Sequence, residues 1–279
     1  MTSSDPVILA NTRMSSRILV LAITFLVFHS ICWAQKQYPN WFLHSQDFPE
    51  LIVGYSTAKV LSAKEDAIWR YSFFEKGFLS GSATYFDQED QWEKNYVTEA
   101  LVPVLNEDQL TKVDMYPTSM YAGGEAIIAF RLSPRKTALT SNYELIEVNT
   151  SKPKWVGKAP FYRKGSYYYG VGQYVLRGNE NDAWRTAEER ALVELATAIG
   201  IEISNHFTIK KTNQENKSTS NGNESVNILT YTFDHEFENA RVIERWVDYP
   251  EPNQQLYAYA YVLVKIHSKN IKHNLSRGK

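Results

Sequence analysis

The sequence predicts an α+β protein of two tandem related domains, each an antiparallel sheet packed by one main amphipathic helix. Three observations carry this expectation. Short motifs recur in order: Pro39-Asn40-Trp41, Gly54-Tyr55-Ser56 and Asp66-Ala67 in the first half, Pro153-Lys154-Trp155, Gly170-Val171-Gly172 and Asp182-Ala183 in the second. The last motif of each set opens a run of helical periodicity. Each half then closes on an alternating strand, after Val113-Asp114-Met115-Tyr116-Pro117 in one and Val247-Asp248-Tyr249-Pro250 in the other. A repeated unit of about a hundred residues is domain-sized.

Residues 1–34 read as an export signal. Arg13 and Arg17 precede an apolar run from Ile18 to Phe28, and Cys32-Trp33-Ala34 places small residues where a signal peptidase cleaves, before Gln35. His29 and Ser30 interrupt the run well short of the roughly 18–20 apolar residues that span a bilayer. Translation can begin at Met1 or Met14. Cys32, the only cysteine, raises lipidation as a second processing route, although Ile31 stands where a lipidation site normally has a small residue. Cleavage after Ala34 removes that cysteine, so the expected mature chain relies on its own cores rather than on disulfides.

The first domain is expected over residues 35–133. Residues 51–56 form a short buried strand. Ser62 caps the next helix, with Glu65 three residues on to complete a capping box. The helix is expected to run to about Leu79 and to end at Gly81, burying Ala67, Tyr71, Phe74 and Phe78. Residues 83–101 fit a loop or an exposed helix equally well. Residues 110–116 and 126–132 read as a hairpin turning at Gly123-Gly124. Residues 134–152 form a linker, within which 143–148 can extend the sheet.

The second domain is expected over residues 153–268. Residues 167–174 are strand-like, and a helix follows from about Asn181 to Ile199, stopped by Gly200. Ala183, Ala187, Ala191, Leu195 and Ala198 share one face, flanked by Leu192, Ala196 and Ile199. Alanines one turn apart let a helix lie close on a sheet. Arg185, Glu188, Glu189 and Glu194 are placed mainly on the other side. Residues 201–211 alternate with strand period, 212–224 are too polar to bury and read as a mobile loop or hairpin tip, and 226–237 resume an extended pattern. Residues 241–249 and 255–266 close the domain as a hairpin. In its last strand Ala258, Ala260, Val262, Val264 and Ile266 face the helix, while Tyr257, Tyr259, Tyr261, Leu263 and Lys265 face away. Residues 269–279 are a basic tail.

Charge excludes one class of partner. With Lys+Arg 30 against Asp+Glu 31 there is no basic field for nucleic acid. Chemistry-bearing patterns are also sparse. Gly170-Val171-Gly172 lacks the third glycine of a dinucleotide loop, since Val175 stands there. His206 and His235 lie in expected strands without metal-ligand spacing, so neither a metal nor another cofactor is expected. Asp66, Asp182, Glu65 and Glu188 could supply a carboxylate pair for glycoside hydrolysis, but carboxylates in a first helical turn are favoured by the helix dipole without any catalysis. Ser56 lacks the flanking glycines of a nucleophile elbow. No catalytic set is shared by the halves. The remaining candidate is aromatic: Tyr167, Tyr168 and Tyr169 with the Tyr257, Tyr259 and Tyr261 face can form a stacking platform for sugar or peptide, or can pad a sheet and an interface between the domains.

Taken together, Trp155, Gly170-Val171-Gly172, the alanine helix from Asp182 to Ala198 and Tyr257-Ala258-Tyr259-Ala260-Tyr261-Val262 resemble the LPP20 family of bacterial envelope lipoproteins. The resemblance spans residues 153–266, and the first half looks like a diverged copy with aromatics in its helix. It implies an exported α+β domain, with a helix laid on an antiparallel sheet, associated with the outer membrane or periplasm. It implies no enzymatic activity and brings no catalytic residues. The expected function is therefore a non-enzymatic structural or assembly module whose partners are envelope proteins or cell-wall polymer, with peripheral outer-membrane association. The alternative is a glycan- or peptide-binding protein using Tyr167, Tyr169, Tyr257, Tyr259 and Tyr261.

Overall fold

The structure of the protein, a computed structural model, describes residues 37–56, 62–88, 91–104, 115–122, 126–132, 144–157, 159–203, 227–250 and 257–273. The export signal with Cys32, the Gly123-Gly124 turn, residues 134–143 of the linker, the 204–224 segment with His206, and the end of the basic tail lie outside the described residues.

The first half opens with β1 (Gln37–Pro39), a single helical turn α1 (Asn40–Leu43) and a 3-10 turn at Ser45–Asp47. β2 (Leu51–Tyr55) and α2 (Ala63–Glu75) follow. The capping box forms as expected: the Glu65 N–H donates to Ser62 Oγ at 3.3 Å, and the Ser62 N–H donates back to the Glu65 carboxylate at 3.1 Å. α2 stops at Glu75, one turn before the expected Leu79. The reason is tertiary: from Lys76 onward the backbone is taken by antiparallel pairing with β10 (Asn227–Glu238), Lys76 opposite Glu238 and Asp87 opposite Asn227. Phe78, expected on the helix, therefore belongs to β3 (Lys76–Gln88). β4 (Gln91–Pro103) returns alongside β3, so the stretch from 83 to 101 is neither loop nor helix but the two arms of a long hairpin. β5 (Met115–Ala122) and β6 (Ala126–Leu132) form the expected antiparallel pair. β7 (Leu145–Glu147) pairs with β1 in a separate ribbon and does not extend the main sheet.

The second half comprises β8 (Phe161–Lys164), β9 (Tyr167–Val175), α3 (Glu180–Ile203), β10, β11 (Arg241–Asp248) and β12 (Tyr259–His267), then a 3-10 turn and β13 (Ile271–His273). α3 does not stop at Gly200; residues 201–203 continue the helix instead of opening a strand. A helical glycine costs about 1 kcal/mol. A Cβ at Gly200 would make ordinary contact with His235 Nε2 and the Thr232 carbonyl of β10, at 3.5 and 3.8 Å, and the packing of α3 on β10 carries the helix past it.

The sheets repeat one topology. In the first half the order is β2-β6-β5; in the second it is β9-β12-β11, with β8 added outside β9. In both, the strand before the helix pairs with the last strand of the unit. The strands that leave the two helices, β3 and β10, pair with each other at the centre of a third sheet, β13-β10-β3-β4. Antiparallel pairing of equivalent strands is what a local two-fold axis generates. One close-packing device also repeats. A Cβ on Gly54 would stand 1.9 Å from the Ala63 carbonyl oxygen of α2, and one on Gly172 would stand 1.9 Å from the Ala187 carbonyl oxygen of α3. Only glycine admits this approach of helix to sheet.

The interior departs from the expectation of one core per unit. Residues Tyr38–Lys279 form one compact unit. A single buried cluster joins Trp41, Phe42, Tyr55, Phe73 and Ile127 of the first half to Trp184, Leu195, Phe237 and Val262 of the second. Among the described residues a small second patch at α2, made of Ala63, Ala67, Met115 and Phe130, stands apart. β3 and β10 bring the halves so close that their apolar faces fuse rather than close separately. The expected face of α3 (Ala183, Ala187, Ala191, Leu195 and Ala198) is buried, as are Ala260, Val262, Val264 and Ile266 on the strand beneath it. Glu188 and Glu194, placed on the opposite side by sequence, are buried too, at 2% and 0% exposure. The buried stripe of α3 is wider than its alanines, because the first half covers the neighbouring stripe.

Candidate functional site

Of the tyrosines singled out by sequence, Tyr167, Tyr169, Tyr259 and Tyr261 lie on the face of the second sheet that points away from α3, but they do not form one open platform. Tyr162 and Tyr169 stack at 4.7 Å between ring centroids. Tyr167 is exposed at the end of β9, edge-on to His267 at 4.9 Å, with Lys265 Nζ 5.5 Å over its ring. Tyr168 has the opposite orientation and is buried. Tyr257 falls outside β12, exposed beneath the Arg177 guanidinium, so it does not share the strand face of Tyr259 and Tyr261. Part of that face is covered by the segment between the halves. Trp155 Nε1 donates to the Glu244 carboxylate at 2.7 Å, and Trp246 Nε1 donates to the Asn149 carbonyl at 2.6 Å with its ring against Tyr261. The phenols register the cover: burial, helped by Asp248, pushes Tyr261 up to about 12, and burial beside Tyr169 pushes Tyr162 up to about 12.

The halves converge chemically elsewhere, at a buried charged cluster that sequence reasoning missed. The Glu188 carboxylate of α3 is its centre. Its Oε1 accepts from the Tyr55 hydroxyl at 2.7 Å and from Arg245 Nη2 at 2.6 Å, and its Oε2 accepts from Arg70 Nη1. Asp66, one turn before Arg70 on α2, accepts from Arg70 Nε at 2.7 Å and from the Tyr55 backbone N–H at 2.9 Å. Arg185 Nε stands 3.4 Å from its other oxygen. Asp66 is thus more than a dipole-favoured carboxylate. It ties the end of β2 to α2. Arg245 Nη1 donates to the Phe42 carbonyl at 2.7 Å and to Ser45 Oγ at 2.6 Å, and its guanidinium lies 4.4 Å over the Phe42 ring. Arg70 covers Tyr55 in the same way, at 4.5 Å.

Burial governs the electrostatics here. Desolvation pushes the Arg245 guanidinium below its usual range and the Tyr55 phenol above its own, with the neighbouring arginines opposing the second shift. Tyr55 therefore stays protonated and donates. The carboxylate of Glu188 accepts from three donors that come from three different elements.

This cluster floors a cleft of about 610 Å³, counted to its open mouth. The walls come from both halves: Pro49, Leu51, Val53, Tyr71 and Phe74 on one side, Val242 on the other, with Glu75 and Arg241 paired at the rim. Arg70, Glu188 and Arg245 face it from below. The cluster was partly legible. Ala63, Asp66, Ala67, Arg70 and Phe73 form one helical stripe, so Asp66 and Arg70 sit on the face that the alanines bury. Arg245 shares strand parity with buried Ile243 and Val247. What sequence did not carry was the pairing of Glu188 with Arg70 of the other half and with Arg245 of its own.

Among the described residues no group of three or more His, Cys, Asp or Glu is placed to hold a metal ion. His235, expected on a solvated strand face, is buried in β10. No described helix is long and apolar enough to cross a membrane. Comparison with family models, curated proteins and solved structures finds no match to this chain.

Proposed function

We propose that the protein is a non-enzymatic exported module of the bacterial envelope, structural or assembly-related, acting in the periplasm or at the outer membrane. The observation that carries the reading is the engagement of Glu188 by Tyr55, Arg70 and Arg245. Where side chains of both halves meet, the acidic group is committed to holding them together, and the nearby Ser45 hydroxyl accepts from Arg245 and donates to the Phe42 carbonyl at 3.2 Å. The network acts as a clasp between two copies of one sheet-and-helix unit, which supports descent from a duplicated ancestor. The resemblance of residues 153–266 to the LPP20 family and the signal-like start at 1–34 support the envelope location, and with it envelope proteins or wall polymer as partners.

The test has two arms. The N-terminus and intact mass of the protein from its native host should correspond to cleavage before Gln35, or to a lipid-modified Cys32, in the envelope fraction. An unprocessed chain in the cytosol would overturn the location. Saturable turnover of wall polymer by purified protein, lost in Glu188→Gln while the fold survives, would overturn the non-enzymatic reading.

A further inference from the structure

The cleft between the halves carries an inference beyond a clasp. Arg70 is 5% exposed. Its Nε and Nη1 are spent on Asp66 and Glu188, while Nη2 makes no bond among the described residues and belongs to a side chain that lines the cleft. A guanidinium with one terminal nitrogen free at the floor of an apolar-walled cavity is an acceptor-seeking group with nowhere else to turn. The local charge points the same way. Arg70, Arg185 and Arg245 face Asp66 and Glu188, three cations against two carboxylates. The Glu75–Arg241 pair at the rim adds no net charge. The floor therefore holds about one uncompensated positive charge on side chains that are themselves buried, where electrostatic attraction is stronger than in water.

We infer that this cleft is a binding site for a small monocarboxylate with an apolar body, its carboxylate on Arg70 Nη2 and its chain against Leu51, Val53, Tyr71, Phe74 and Val242. One free nitrogen and one surplus charge suit a monoanion. A phosphate dianion would need further donors and cations, and the remaining nitrogens of Arg70 and the terminal nitrogens of Arg245 are already committed. The walls offer aliphatic and aromatic surface to match a hydrocarbon.

Calorimetric titration of the purified protein with octanoate, and with octanamide as its neutral counterpart, tests this. The expected result is saturable octanoate binding, with octanamide about tenfold weaker or more, the range a charge-assisted hydrogen bond supplies. Arg70→Gln should bring octanoate down to the octanamide level. Val242→Trp fills the cleft from β11 without touching the charged cluster, and should abolish binding of both. If Arg70→Gln fails to fold, as judged by circular dichroism, Val242→Trp and the octanoate–octanamide ratio decide. No octanoate binding, equal binding of the two probes, or unchanged binding by Val242→Trp overturns the inference. None of these outcomes bears on export or turnover, so the proposed function stands or falls separately.

Discussion

α2 and α3 perform the same task in their own sheets and differ in everything else. α2 has 13 residues and α3 has 24. Gly54 meets α2 at its first residue, Ala63, whereas Gly172 meets α3 at Ala187, two turns in. Most of the extra length thus precedes the crossing point, and that part reaches into the first half. Glu180 accepts from the Tyr38 hydroxyl at 2.5 Å, the Asn181 side-chain amide donates to the Ser56 carbonyl at 2.6 Å, Trp184 packs edge-on to Phe42 at 5.0 Å, and Glu188 holds the clasp. Residues 181, 184 and 188 follow one another at helical spacing, beside the alanine stripe that lies on β9 and β12. α3 has two working faces, one dry and one polar. α2 answers with Asp66 and Arg70. The lesson is that two units of like topology can keep the same helix–sheet contact and still be joined, by lengthening one helix and charging the face it adds.

If that contrast is right, the polar face should fail hardest when one partner is removed. Glu188→Leu leaves Arg70, Arg245 and the Tyr55 hydroxyl without their acceptor, at an expected cost of about 3–5 kcal/mol in urea unfolding. A loss under 1 kcal/mol would mean the cluster is more hydrated than its burial implies. The dry contact comes next. Gly172→Ala and Gly54→Ala each force helix from sheet and should cost about 1–3 kcal/mol, similar in the two halves because the missing Cβ meets a carbonyl at the same 1.9 Å. A large cost at one glycine and none at the other would break the equivalence of the units.

Alkali sharpens the same comparison. The buried phenols of Tyr55 and Tyr38, both at the junction, are raised first by desolvation, and for Tyr38 also by Glu180. A raised tyrosine contributes stability that is complete below the ordinary value near 10 and is lost as pH climbs from there toward the folded value. Each should remove about 1.4 kcal/mol per pH unit in that window. Tyr55→Phe should reduce the slope of stability against pH between about 10 and 11. The smallest effect belongs to the capping box: Ser62→Ala should cost about 1 kcal/mol and leave the Arg70–Glu188 pairing intact, read as an unchanged penalty for Glu188→Leu in the Ser62→Ala background.

Much of the local structure was legible. Ser62 and Glu65 announce the start of α2, the alanine row announces the dry face of α3, and the alternation of residues 258–266 announces β12, since each pattern reports on neighbours a few residues away. The errors share a cause. α2 ends early, β3 and β4 replace a loop or helix, and α3 passes Gly200, in each case because contacts with β10 override local preference. The Asp66-Ala67 and Asp182-Ala183 match also misleads slightly. It aligns helix starts, whereas the glycine contacts align Ala63 with Ala187. Of the site, the inward parity of Asp66, Arg70 and Arg245 was readable, and the tyrosine face proved partly covered by Trp155 and Trp246.

The amino-acid sequence alone determined the α+β class, the recurrence of a strand–helix–strand unit, and the apolar stripe on which each helix lies, because periodicity records which side of an element avoids water. Only the tertiary structure decided that the two units share an interior, that Glu188 faces Tyr55, Arg70 and Arg245, and that a cleft opens above them. Those contacts join residues from 57 to 133 positions apart, and a buried charge looks the same in sequence as a solvated one until its partner is in place.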